Sequence, residues 1–316
     1  MRSIIIVTAA FALAGMPAAF ASEGYVYEGK WGKLGGADGE LAFPQGVALA
    51  PNGNVYVGDT GNSRVQYFTP TGSFLGKWGT RGTGEGEFRS PAILDVAPNG
   101  NVYVPEFLGL RIQYFTATGG YLGQWHAHQV RGVDVSSAGN VYAVCEQESL
   151  IQCFTASGSL ICQWGGPGTT NGRFVQPTDV AVAPNGNVYV SDWGNCRIQY
   201  FTAEGSFLGK WGQLGTANGE FRRAMGLDVA ADGTVFVVEE VNCRVQYFTP
   251  AGSFLGKFGS YGRGDGEFDW PFSLAVMPSG DRVYVCDYSN HRIQYFRPTE
   301  PAVAPTSLGK IKALFE

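Results

Sequence analysis

The amino-acid sequence predicts an all-β protein built from repeated four-stranded antiparallel sheets, and three observations carry that prediction. First, a segment of the Gly-Lys-Trp-Gly type returns with its anchor at Trp31, Trp78, Trp125, Trp164, Trp211 and Phe258, in steps of 47, 47, 39, 47 and 47 residues. A period in the forties made of short apolar runs and glycine-rich turns belongs to a blade array, in which each unit buries its faces only against its neighbours. Second, each repeat resolves into short runs of β-branched and aromatic residues separated by turn residues. Third, 44% hydrophobic and 16% charged residues with 46 glycines suit many tightly turned strands rather than helices or disorder.

Taken in chain order, residues 1–21 read as a secretory signal. Arg2 gives a basic start, Ile4 to Leu13 an apolar stretch, and Ala19-Phe20-Ala21 a small-x-small cleavage site. Cleavage after Ala21 and a secreted or periplasmic address are expected. The apolar run is too short to span a bilayer, and no later segment reads as a membrane helix. Residues 22–300 are expected to form one domain and 301–316 a tail. In the first full repeat Gly46-Val-Ala-Leu-Ala50, Asn54-Val-Tyr-Val57, Arg64-Val-Gln-Tyr-Phe68 and Phe74-Leu-Gly-Lys-Trp78 are the strands. Pro51-Asn-Gly53 turns the first into the second, and Pro70-Thr-Gly72 the third into the fourth. Sheets set radially are covered on both faces, which explains apolar residues on both sides of a strand, as at Val65, Tyr67 and Phe68.

The third-strand motif occurs six times, at Arg64-Val-Gln, Arg111-Ile-Gln, Leu150-Ile-Gln, Arg197-Ile-Gln, Arg244-Val-Gln and Arg292-Ile-Gln, so six blades are expected. A ring must close, or its last blade exposes an edge strand. Tyr27-Glu-Gly-Lys-Trp31 has the fourth-strand pattern yet precedes the first full repeat, whereas the fourth-strand register of the last repeat falls on Ala302 to Thr306, which contains Pro305. The N-terminal strand is therefore expected to pair into the last blade. Leu308-Gly-Lys-Ile311 is a competing, out-of-register candidate.

Asn290-His291-Arg292-Ile293-Gln294, with Asp287 three residues before Asn290, resembles the signature of NHL repeats, and the likeness runs over all six units from about residue 25 to 297. The resemblance implies a six-bladed β-propeller, in agreement with the count of repeats. It leaves function open, because NHL propellers include RNA-binding modules, protein-interaction modules and lyases. A net charge of -5 opposes a nucleic-acid partner, since phosphate binding needs a basic face. The lyase relatives hold zinc through several histidines near the axis. Here only His126, His128 and His291 are present, the last half a ring away from the others. No Ser/His/Asp spacing or nucleophile elbow is seen. The expectation is a monomeric, non-catalytic platform for a protein, peptide or carbohydrate, without metal or cofactor. The rival is a metal-assisted lyase or hydrolase on His126, His128 and the channel aspartates.

Two repeated polar motifs read as scaffold. Asp59-x-x-Asn62-x-Arg64 recurs as Asp192, Asn195, Arg197 and as Asp287, Asn290, Arg292, with Glu239, Asn242 and Arg244 a variant, and such a set braces a hairpin through turn amides and an ion pair. The loop Gly82-Thr-Gly-Glu-Gly86-Glu87-Phe88 has relatives ending at Phe174, Phe221 and Phe268, and its Phe is suited to plug between blades. The third repeat is eight residues short, carries Trp125-His126-Ala127-His128-Gln129-Val130-Arg131 in place of that loop, and puts Cys145, Glu148 and Leu150 where the brace belongs.

Loops that enter the first strand and loops that join the second to the third share one propeller face. That places Glu106, Glu146, Glu148, Glu239 and Glu240 with Phe107, Trp193 and Tyr288 around the channel mouth, a set suited to a cationic or sugar-like ligand or to a peptide. On the innermost strand Asp95, Asp134 and Asp228 stand where other repeats have Ala48, Ala181 and Ala275. They read as a hydrated channel lining, with Arg131 available to pair with one of them. The six cysteines, Cys145, Cys153, Cys162, Cys196, Cys243 and Cys286, lack a framework spacing and read mostly as buried free thiols.

Overall fold

The computed structural model describes residues 24–299; the expected leader at 1–21, the tail at 301–316 and the competing strand at 308–311 lie outside them. Six four-stranded antiparallel sheets are present, and their innermost strands touch in cyclic order, so the sheets form a closed six-bladed β-propeller. Blade 1 runs Gly46–Leu49, Val55–Asp59, Arg64–Phe68 and Phe74–Trp78 from the axis outward. Blade 2 begins with the short Asp95–Val96 and ends at Tyr121–His126; blade 3 runs from Val130–Val135 to Leu160–Gly165. Blades 4 and 5 start at Pro177–Val182 and Ala224–Val229. Blade 6 comprises Pro271–Val276, Val283–Asp287 and Arg292–Pro298, completed on its outside by Tyr25–Trp31.

The closing strand pairs Trp31 with Ile293 and Tyr25 with Pro298, and Glu28 holds Arg282 of the same blade through two hydrogen bonds of 2.9 and 2.7 Å. Closure this way leaves blade 6 without a turn between its third and fourth strands. Elsewhere that turn is an inter-blade joint. The second-strand tyrosines Tyr56, Tyr103, Tyr142, Tyr189 and Tyr284 each donate their hydroxyl to a carbonyl in the next blade's turn. Trp31, Trp78, Trp125, Trp164 and Trp211 lie flat against turn glycines Gly72, Gly119, Gly158, Gly205 and Gly252, where a Cβ would collide with the indole and φ is near +90°. Blade 5 faces the turnless blade 6, and there the two positions hold Phe236 and Phe258 instead of Tyr and Trp. Tyr25 fills the vacated seam, with its ring centroid 5.4 Å from Phe236 and 5.5 Å from Phe258. The location of the ring's closure is thus written into blade 5 as well as into the N-terminal strand.

The repeated polar motif is the expected brace. In blade 1 Asp59, fully buried, accepts from Arg64 Nε at 2.6 Å, Asn62 at 2.9 Å, Gln66 at 3.0 Å and the Ala42 amide at 2.7 Å. The Arg64 guanidinium then donates to the carbonyls of Gly36, Ala37 and Glu40, so one ion pair fixes the whole glycine-rich entry loop. Blades 2, 4, 5 and 6 repeat this with Glu106–Arg111, Asp192–Arg197, Glu239–Arg244 and Asp287–Arg292. Each such loop inserts an apolar plug, Leu41, Phe88, Phe174, Phe221 or Phe268, that is fully buried. In blade 3 the plug is Ala127 and the brace pair is absent.

Candidate functional site

The loop face is organised by one equivalent residue on the approach to each innermost strand: Phe43, Ser90, Gln129, Gln176, Arg223 and Trp270. All six take left-handed φ values between 40° and 63°, a conformation that bulky residues rarely adopt. Backbone bonds from the loops joining second and third strands, such as Phe107 N–H to Ser90 O and Glu240 N–H to Arg223 O, bring both loop sets onto one face.

Two residues further on, the chain turns down the axis and side chains cross it. Arg131 of blade 3 lies over Phe107 at 4.2 Å and reaches Phe272 of the opposite blade 6 at 5.7 Å. Phe272 packs with Ile93 of blade 2 and Met225 of blade 5 in one apolar cluster. The channel is thereby plugged at this face. Phe272 stacks on Tyr288 at 5.5 Å, Tyr288 meets Phe43 at 5.2 Å, and Phe43 meets the His291 ring at 4.5 Å. A second group stands over blades 4 and 5, where Arg223 covers the Trp193 ring at 4.6 Å and the indole N–H donates to Glu240 at 3.0 Å.

Below the plug the axis is a cup of about 420 Å³, rimmed by Pro51, Pro98, Ser137, Pro184, Ala231 and Pro278 of the opposite-face turns. Asp95, Asp134 and Asp228 do line it, together with Asp179, and no Lys, Arg or His does. Each carboxylate clasps the next blade. Asp95 accepts from Val135 N–H at 2.8 Å, Asp134 from Val182 at 2.6 Å, Asp179 from Leu227 at 3.0 Å and Asp228 from Val276 at 2.7 Å. Ser273 completes the series toward blade 1 by accepting from Val47 N–H at 3.1 Å. Burial raises the pKa of all four carboxyls, that of Asp228 up to about 7, with the Asp134 charge adding to Asp95 and Asp228.

Several sequence expectations are corrected by this geometry. Glu106 and Glu239 are fully buried in the braces of blades 2 and 5 and are closed to a ligand. Glu146 is held by Arg131 at 2.6 Å, and Glu240 lies 3.7 Å from Arg223, so the face is charge-balanced rather than acidic and loses its case for a cationic ligand. Arg131 accordingly serves Glu146 and two aromatic rings instead of a channel aspartate. Glu148 is half-buried beside Cys145, with its Oε2 lacking a partner. Phe107, Trp193 and Tyr288 lie on the loop face as expected. Sequence reading missed Phe43, Arg223, Trp270 and Phe272; aligning the six copies over the approach to the innermost strand and its first residues would have exposed them. It also missed Asp179, which sits two residues ahead of the position compared.

An axial zinc site of the lyase kind does not fit these residues. His126 and His128 are exposed with their Nε2 atoms 3.1 Å apart, the cup contains no histidine, and His291 Nδ1 accepts from Phe43 N–H at 3.1 Å. Among the described residues no three His, Cys, Asp or Glu side chains converge as metal ligands. No helix among them is long and apolar enough to cross a membrane.

The family model of the NHL repeat matches residues 41–68, 174–201 and 268–296. These are blades 1, 4 and 6, the three whose brace acid is aspartate. No curated protein matches the chain. Among solved structures the chain is similar to a catalytically inactive virginiamycin B lyase from Staphylococcus aureus with quinupristin, at 15% identity over 86% of this chain and 88% of that one, with a TM-score of 0.60. It is also similar to a structural-genomics protein of unknown function from Bacteroides thetaiotaomicron, at 14% identity over 87% and 76%, TM-score 0.66. A third is hydrazine synthase of Kuenenia stuttgartiensis, at 11% identity over 85% and 99%, TM-score 0.60. At such identities the likeness is one of fold.

Proposed function

From the premise that this chain is built of NHL repeats closed into a six-bladed propeller, we propose that it is a binding platform whose loop face receives a protein or peptide. The observation that carries this reading is the pair Phe43 and Trp270. Both are large, are 44% and 49% exposed, and sit at φ of 48° and 53°. The scaffold does not require them, because sister blades satisfy the same backbone with Ser90, Gln129 or Gln176. Exposed aromatics in a strained conformation, beside arginines lying over further rings, have the composition of an interaction hot spot. The rigid sheets beneath hold that surface without an ordering cost on binding. The lyases among the structural neighbours lend a catalytic reading only their fold.

Selection of a random peptide library on the immobilised protein, with a glycan array in parallel, tests the proposal. Peptides are expected to be enriched, and Phe43→Ala with Trp270→Ala to weaken the best of them at least tenfold, while Leu122→Ala on the outer edge of blade 2 leaves them unchanged. Enriched peptides indifferent to Phe43 and Trp270 would remove the loop face as the site, and glycans lost with the same pair would move the ligand class to carbohydrate. We further propose that the platform works outside the cytoplasm, for which the basic start, apolar run and Ala19-Phe20-Ala21 site are the support. An exported form beginning at Ser22 is the expected product, checked by N-terminal sequencing.

A further inference from the structure

Blade 3 departs from its sisters at one more place, the contact between its third and fourth strands. In the other five blades the directly opposed residues are a tyrosine and a glycine: Tyr67 and Gly76, Tyr114 and Gly123, Tyr200 and Gly209, Tyr247 and Gly256, Tyr295 and Gly29. Each ring lies across its glycine so closely that any Cβ there would collide with it. In blade 3 both members are exchanged together, and Cys153 stands opposite Cys162.

Directly opposed residues of an antiparallel pair have Cα atoms about 4.5 or 5.5 Å apart, and either value lies within the roughly 4.4–6.8 Å that a disulfide spans. Their side chains also share a face. That face looks toward blade 4: both cysteines pack with Tyr142 of their own blade, and Cys162 Sγ approaches Ala203 O of blade 4 at 4.0 Å. In the described ladders none of the other four cysteines is opposed to a cysteine. Burial pushes the Cys153 thiol up to about 11, and raises that of Cys162, so neither is a ready thiolate at neutral pH. Exchange with a disulfide oxidant is slowed accordingly, and it starts at Cys162, the more exposed of the two.

We propose that Cys153 and Cys162 are a redox-active pair that closes into a cross-strand disulfide, stapling the blade that lacks the brace and has only Ala127 for a plug. The oxidant is a disulfide, either oxidised glutathione or a disulfide-bearing oxidoreductase. One cysteine thiolate attacks a sulfur of the oxidant and expels one of its thiolates; the second cysteine attacks the mixed disulfide and expels the other. Two electrons leave the cysteine pair, and the oxidant departs as two thiols carrying the two protons. Because the bond joins the third strand to the fourth, it anchors the blade's outer edge to its interior without touching the loop face.

Purified chain equilibrated in oxidised glutathione is compared with chain held in dithiothreitol, with alkylation of free thiols and peptide mapping. Oxidation is expected to link the peptides carrying Cys153 and Cys162, to leave the remaining four cysteines alkylated, and to raise the melting temperature by roughly 2–6 °C. Cys162→Ser abolishes both changes. The double variant Cys153→Tyr with Cys162→Gly rebuilds the sister-blade pair and is expected to fold with a melting temperature indifferent to redox state. Six alkylated cysteines after oxidation, a link to any other cysteine, an unchanged melting temperature in the linked form, or a redox shift that survives in the double variant would each overturn the proposal.

Discussion

Blade 3 and its five sisters have the same four-stranded frame but are held together in different places. A typical blade is fixed at its loop-face rim, where a buried carboxylate, a guanidinium and a glutamine knit an entry loop and its plug to the sheet. Blade 3 has Cys145 and Leu150 in those posts, a connection eight residues shorter and Ala127 for a plug. What remains is the grip at the axis. Asp95 of blade 2 clasps Val135, and Asp134 clasps Val182 of blade 4, so both innermost seams of blade 3 carry a carboxylate. Backbone bonds between Ile93, Arg131 and Val133 reinforce the first of them. A repeat in a ring can thus lose its peripheral brace and keep its place, because neighbours on both sides supply the missing order.

The largest expected effect comes from breaking a rim brace in a regular blade. Asp192→Ala leaves the Arg197 charge buried without its counter-ion and its Nε without an acceptor, and takes one of two acceptors from Gln199, which should cost about 3–5 kcal/mol. The matching change in the irregular blade, Cys145→Ala, removes a thiol whose polar contact is Gln152 at 3.2 Å, and should cost about 1 kcal/mol or less. Urea denaturation of the two variants measures the contrast. Equal costs would mean that blade 3 has a rim brace of another kind.

That contrast also shows what could be read before the structure. The period, the six third-strand motifs and the displaced Tyr27–Trp31 strand were enough for the architecture, because strand pattern and ring closure are set by local composition and by the cost of an open edge. The brace was legible for the same reason, since Asp59, Asn62 and Arg64 recur at fixed offsets. The loop face was legible only in part. Charge type can be counted from sequence, but not which carboxylates are already committed, so Glu106 and Glu239 look like surface acids there, and Arg131 looks available to the channel although Glu146 holds it. Partnership across a ring depends on side chains that meet over the axis, as Arg131 and Phe272 do, and no linear spacing records it. The Phe236 and Phe258 substitutions were legible in principle, yet they gain meaning only when the turn missing from blade 6 is known.

A middle-sized effect lies in the pH dependence of the axis, which a single variant isolates. The clasp carboxyls have raised pKa values in the folded protein, so the folded state keeps protons that the unfolded chain releases. Their contribution is fully present below the ordinary aspartate range and is lost as pH rises through the folded values, near 7 for Asp228. The melting temperature should therefore be higher at pH 5.5 than at pH 8. Asp134→Asn keeps an oxygen to accept the Val182 amide but cannot ionise, and should flatten that slope. It also relieves Asp95 and Asp228, whose protons the Asp134 charge helps to hold. Burial raises the rim carboxyls Asp192, Glu239 and Asp287 as well, so differential scanning calorimetry of Asp134→Asn decides the matter: a slope untouched by that change would assign the pH response to the rim, and a slope of the opposite sign would exclude both sets.

The smallest effect lies in the tyrosine hydroxyls that join each blade to the next. Tyr189 donates to Pro250 O at 3.0 Å, whereas Tyr142 of blade 3 reaches Ala203 O at 3.3 Å and has Cys153 beside it in place of the stacked ring that Tyr200 gives Tyr189. Removing the hydroxyl should cost about 1 kcal/mol for Tyr189→Phe, the usual net value of such a bond, and less for Tyr142→Phe. Blade 5 already shows the outcome in nature, since Phe236 faces a blade with no turn to accept a hydroxyl and loses nothing by lacking one. Chemical denaturation of the two Tyr→Phe variants gives the comparison. A larger cost at Tyr142 would mean that the seam between blades 3 and 4, rather than the axis, carries the load that the missing brace has shed.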